Sequence, residues 1–123
     1  PWHMDEKDLP FQEAPFGIAS LECAFAAVWD YKEQHSPEIA AETLLKKLTS
    51  SPAALLPKVW QAHGVIREGS PAHLVVIDPE RVREVDCSLW HSKARLTAWE
   101  GASLKGWPVE TLYNGRTVWK ESV

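Results

Sequence analysis

The chain contains no His-x-His or His-x-x-x-His pair, no Gly-x-Ser-x-Gly segment and only six glycines in 123 residues. Each absence removes a class of chemistry. A zinc site needs His, carboxylate or Cys ligands converging at short, defined spacings, and His3, His35, His63, His73 and His91 are widely scattered. No metal centre is expected within the chain. Ser20, Ser36, Ser50 and Ser51 lack the strained elbow that exposes a nucleophilic serine, and the glycines are too sparse for a phosphate-cradling loop. Cap or core roles suit these serines better. The two cysteines, Cys23 and Cys87, show no paired spacing and read as buried thiols rather than a disulfide or redox couple.

Positive charge is scarce as well. Thirteen Lys and Arg against 17 Asp and Glu leave a net charge of −4, which argues against a nucleic-acid surface, since that needs clustered basic residues. Lys46-Lys47, the one basic doublet, reads as a solvated helix face. No apolar run approaches the roughly 20 residues that span a bilayer, and no basic-then-apolar leader opens the chain. A cytoplasmic location is expected for the complete protein.

What is present suffices for a folded domain: 45% of residues are hydrophobic, 24% are charged, and seven are Trp. Large aromatics serve as interior anchors or at interfaces. Residues 1–17 hold three prolines, a glycine and several charges without periodicity, the composition of a long irregular loop, and loops of that length are usually functional. From Ala19 to about Glu33, Leu21, Phe25, Val28 and Trp29 fall at helical spacing, so that face is expected to pack inward. Ser36-Pro37-Glu38 offers an N-cap, a first-turn proline and an acid, and Ala41, Leu44, Leu45 and Leu48 continue an amphipathic helix to about Thr49. Ser51-Pro52 repeats the cap-and-proline pattern and predicts a short helix over Ala53 to Leu56.

Beyond Gly64 the period changes. Leu74-Val75-Val76-Ile77 is a β-branched run ended by Asp78-Pro79, the mark of a buried strand. Thr111-Leu112-Tyr113 and Thr117-Val118-Trp119 flank Asn114-Gly115-Arg116, and Asn-Gly is the pair a tight type I′ hairpin turn requires. Helices followed by strands predict an α+β arrangement.

The N-terminal run Pro1-Trp2-His3-Met4-Asp5-Glu6-Lys7 and the segment Ala14-Pro15-Phe16-Gly17-Ile18-Ala19-Ser20-Leu21-Glu22 resemble a dihydroorotase motif. There, an Asp-His-Ala-Pro-His loop leads into Glu-Glu-Lys and then Ala-Pro-Phe-Gly-Ile-x-Gly-Leu-Glu. Further along, Thr49-Ser50-Ser51-Pro52-Ala53 resembles the family's Thr-x-Asn-Pro-Ala helix start, and Gly64 to Asp78 resembles a strand pair that closes on Ala-Asp-Leu-Val-Val-x-Asp. Ser92-Lys93, Thr97, Gly101, Gly106 and Val109-Glu110-Thr111 resemble its closing Ser-Lys and Gly-x-Val-x-x-Thr pattern. The closing strands are shared by many cyclic amidohydrolases; the Ala-Pro-Phe-Gly-Ile segment points to dihydroorotase.

This resemblance implies an α+β fragment, the C-terminal portion of an amidohydrolase-superfamily protein. Residues 1–60 would hold an active-site loop and the last helices of a metal-dependent (β/α)8 barrel, and residues 61–123 strands of a small β-sandwich domain. The implied reaction is the reversible cyclisation of N-carbamoyl-L-aspartate to dihydroorotate in pyrimidine synthesis. The zinc ligands, a His-x-His pair among them, and the aspartate general base would lie upstream of Pro1, with no catalytic or metal-binding residue in this chain. Phe16 and Gly17 fall at positions whose loop contacts substrate, and Trp2 stands where the family has a substrate-holding His. The residues alone also allow a structural Pro-Phe-Gly turn, with Phe16 filling the core beneath the first long helix. Glu6, Lys7 and Glu13 read as structural ion pairs or solvated charges. Two other readings stand: a related cyclic amidohydrolase of hydantoinase or allantoinase type, and a non-catalytic partner of aspartate transcarbamoylase, for which Trp2 in the His position is the motive. His73 and Ser51 also depart from the motif, in structural stretches.

Overall fold

The computed structural model describes residues 4–121. Helices α1 (Met4–Lys7), α2 (Ala24–His35), α3 (Ala41–Leu48) and α4 (Ser50–Ala53) come first. Strands β1 (Leu74–Glu84), β2 (Ser103–Tyr113) and β3 (Arg116–Lys120) follow and form one antiparallel sheet in the order β1-β2-β3. The order is that of the expected α+β arrangement. None of the described helices is long and apolar enough to cross a membrane.

Helix α2 seats against β2, and small residues make that possible. Cys23, Ala26 and Ala27 are buried at i, i+3, i+4 spacing, a narrow stripe whose short side chains let the helix approach the sheet. The approach is closest where Trp29 lies over Gly106: a Cβ there would stand 2.3 Å from Trp29 Cδ1, and the glycine takes φ +86°. Glycine alone satisfies both demands. The Trp29 indole N–H is buried with no hydrogen-bond partner among the described residues. Asp30 fixes the helix to the strand by accepting from the Lys105 amide at 3.1 Å. The inward face matches the expected one in part. Phe25 and Trp29 are half-buried, Trp29 against Gly106, whereas Leu21 is 89% exposed and precedes the helix, and Val28 is 43% exposed. The fully buried positions are the small ones, Cys23, Ala26 and Ala27.

Two other helix boundaries are corrected. Ser36 closes α2, its amide donating to Lys32 O at 2.9 Å, and Pro37 then bars continuation; α3 begins at Ala41 without a side-chain cap. The third helical segment is Ser50–Ala53, three residues earlier than the Ser51-Pro52 pattern suggests, and turns continue to Leu56. Thr49 Oγ1 bonds Leu45 O at 2.6 Å rather than capping that segment.

Strand β1 does not stop at Asp78-Pro79 and is not buried on both faces. It runs through to Glu84, with Val75 and Val76 exposed. Pro79 is tolerated because pairing jumps from Asp78↔Trp107 to Val82↔Lys105, so residues 79–81 oppose Gly106 alone and the missing N–H falls in a bulge. The Asp78 carboxylate accepts from the Glu80 amide at 2.9 Å inside it. The stretch 65–73 forms no strand, so the strand pair expected from Gly64 onward reduces to β1 alone. The β2–β3 hairpin forms as the Asn-Gly pair predicts, with Asn114 at φ 49° and Gly115 at φ 73° between Tyr113 and Arg116.

The core joins both halves of the chain. Cys23, Ala26 and Ala27 meet Val85, Cys87, Trp90, Leu104 and Trp107. Both thiols are free and buried. Burial pushes the Cys23 thiol above its ordinary pKa, and the Glu100 carboxylate does the same to Cys87.

Candidate substrate groove

Between β1 and β2 the chain makes one short 3₁₀ helix, Cys87–Leu89, and otherwise folds around charged side chains. The Arg95 guanidinium donates to Cys87 O at 2.7 Å and to Trp90 O, while Cys87 Sγ donates to Arg95 O at 3.0 Å. The Cys87 amide donates to Glu100 at 3.0 Å, and Asp86 accepts from the Ser88 amide at 2.9 Å. The Ser88 hydroxyl, and after it the Ser88 amide, keep the Asp86 carboxyl below its usual pKa. A loop without ladder partners must satisfy its backbone in this way.

The loop is then brought against the N-terminal segment. The Glu22 carboxylate, just ahead of α2, accepts from the amides of His91 (3.1 Å) and Ser92 (2.8 Å). The Ala19 amide donates to Leu96 O at 3.1 Å. Between these ties lies an open, mainly apolar groove of about 910 Å³, with residues 16–24 on one side and 90–96 on the other. A depression of this size suits a small molecule.

Phe16 and Gly17 both line this groove. Phe16 is 96% exposed and packs on no core within this chain. Gly17 takes φ +99° with nothing within 4 Å of where a Cβ would stand, so its peptide is open to close approach. Trp2 lies outside the described residues, and the structure places it nowhere relative to the groove.

Lys7, also on the groove, has a role that its sequence context did not disclose. Its ammonium donates to Pro15 O and, at 2.7 Å, to Gly17 O. Glu22 and residues of the 90–96 loop border the groove too. Their bonds span 69 and 70 residues, beyond any local pattern. Among the described residues no group of three or more His, Cys, Asp or Glu is disposed to hold a metal ion. The described residues lining the groove do not fit a zinc site.

No family model matches the chain. Its sequence is similar to dihydroorotases from Carboxydothermus hydrogenoformans (39% identical over 110 residues, 89% of this chain and 25% of the relative) and Thermus aquaticus (40% over 114 residues, 92% and 25%). It is also similar to that of Deinococcus radiodurans (33% over 115 residues, 94% and 26%). Among solved structures, a D-hydantoinase aligns with TM-score 0.81 at 24% identity over 97% of this chain and 25% of the other. The L-hydantoinase (dihydropyrimidinase) of Arthrobacter aurescens aligns with TM-score 0.79 at 24% identity, over 89% and 24%. At that identity the structures testify to a shared fold. The chain spans about a quarter of the length of these relatives, and it belongs with the dihydroorotases among the cyclic amidohydrolases.

Proposed function

We propose that the whole protein is a cytoplasmic dihydroorotase, closing N-carbamoyl-L-aspartate to dihydroorotate and reopening it, and that this chain forms one wall of its substrate groove. The observation that carries the reading is the placement of Phe16 and Gly17. The two residues of the Ala14-Pro15-Phe16-Gly17 segment stand open on a groove instead of filling a core. The chemistry suits the ligand: a cyclic ureide presents its planar N–C(=O)–N part to an aromatic ring and polar edges to backbone groups. Lys93, exposed on the same groove, adds positive charge for a carboxylate.

Cyclic amide hydrolysis needs an activated water, which metalloenzymes obtain from a bound cation. The described residues gather no ligands for one, so that chemistry, and any zinc, is assigned to parts of the protein other than this chain. A hydantoinase-type reaction is the second reading, favoured by the fold shared with two hydantoinases. A substrate panel separates them. The whole protein, offered dihydroorotate, N-carbamoyl-L-aspartate, a 5-substituted hydantoin and allantoin, is expected to turn over the first two. Turnover of the hydantoin or allantoin alone transfers the assignment, and inactivity on all four favours a non-catalytic role, in which a partner such as aspartate transcarbamoylase is sought by co-purification.

A further inference from the structure

We propose that Lys7 is a positioning residue of the substrate groove, holding the Pro15-Phe16-Gly17 turn in a ligand-ready shape. The inference deepens the reading of this groove as a substrate wall and rests on it. The two carbonyls that Lys7 binds, Pro15 O and Gly17 O, flank Phe16 on either side. One ammonium therefore pins the 15–16 and 17–18 peptides, on either side of the residue whose ring stands 96% exposed on the groove. Among the described residues nothing else holds Phe16 in a comparable way: its side chain has no core to pack on within this chain, and no atom lies within 4 Å of where a Gly17 Cβ would stand. The turn at Glu13 and Ala14, closed by their amides on Pro10 O, ends before it, and the Ala19 tie to Leu96 O begins after it.

A lysine fits this task because it offers three donors from a point charge on a flexible stem, and two convergent carbonyls need donors, not a counter-ion. Bonds from an ionised donor are stronger than neutral ones. Without them water would satisfy the carbonyls, since the turn is exposed. The turn would then sample many shapes, and a ligand would have to order it on binding. That cost appears in binding and not in the chemical step, which separates a positioning role from a catalytic one.

The experiment compares the whole protein with its Lys7→Met and Lys7→Arg variants, each carrying 4-fluorophenylalanine at Phe16, with dihydroorotate as the probe. Lys7→Met keeps the apolar stem and removes the donors. It is expected to broaden or shift the 19F resonance of Phe16 and raise KM about tenfold while kcat changes less than about twofold. Lys7→Arg restores donors and charge and is expected to bring line shape and KM back to within about threefold of the parent. An unchanged resonance with unchanged KM overturns the proposal. So does a changed resonance with unchanged KM, or a loss confined to kcat. Should the parent protein neither turn over dihydroorotate nor show a 19F shift on its addition, the groove reading itself fails and this inference fails with it.

Discussion

At the scale of the residue, Gly17 is where backbone conformation and binding meet. Its φ of +99° is a region that L side chains rarely adopt, yet the space around it is empty. A larger residue there would meet backbone strain of about 1–3 kcal/mol rather than a clash within this chain. Gly17→Val is therefore expected to leave the fold intact while turning the 15–17 backbone and covering its exposed peptide. The measured consequence, in whole protein shown to be folded, is a rise in KM for dihydroorotate of about tenfold or more. An unchanged kcat/KM removes this loop from the substrate site. The buried thiols illustrate the opposite case. Cys23 and Cys87 stand among core side chains, and both have raised pKa values, so neither carries the exposed thiolate that a nucleophile needs.

At the scale of the element, the decisive contact is α2 on β2. Trp29 fills the space that Gly106 leaves, at a point where β1 bulges and the strand takes a positive φ. Gly106→Ala would place a methyl group 2.3 Å from Trp29 Cδ1 while forcing a strained backbone. The expected cost is about 2–4 kcal/mol, from overpacking and strain together. Denaturant unfolding of the whole protein checks it through the transition that reports this region, and a midpoint unchanged from the parent means that α2 is free to move off the sheet. Helix α3 is a different kind of element. Its apolar stripe of Ala41, Leu44, Leu45 and Leu48 includes no fully buried residue, and its Glu42–Lys46 pair, 2.8 Å apart, is too exposed to add much, so little within this chain holds the helix in place.

At the scale of the whole molecule, the core is small for the apolar surface left outside it. Phe11, Leu21, Leu55, Val59, Ile66 and Leu89 are all largely exposed. Side chains of this size are available to be covered by other parts of the protein, and each Å² of apolar surface covered is worth about 25 cal/mol. The isolated 123-residue chain is accordingly expected to associate or to unfold without a sharp transition, and to show no turnover of dihydroorotate. Sedimentation and denaturation across a range of concentrations test this. A monomer with a cooperative, concentration-independent transition contradicts it.

Local chemistry made part of this molecule legible in advance. The Asn114-Gly115 turn needs only two residues at positive φ, so its hairpin was readable without knowledge of anything distant. The stripe of α3 and the Ala14-Pro15-Phe16-Gly17 segment are likewise contiguous, and the family could be recognised from the chain as written. Other features depended on residues far apart in sequence. The inward face of α2 was settled by how near β2 could come, which favoured Cys23, Ala26 and Ala27 over the bulkier Leu21 and Val28. Pro79 lies inside a strand because a bulge opposite Gly106 removes the need for its N–H. Glu22 turned to two amides about 70 residues away, and even Lys7, whose two carbonyls lie 8 and 10 residues on, met them only through the folded loop. A charged side chain advertises its charge in the sequence, but which backbone groups it satisfies is set only when the folded chain brings unpaired donors and acceptors within reach.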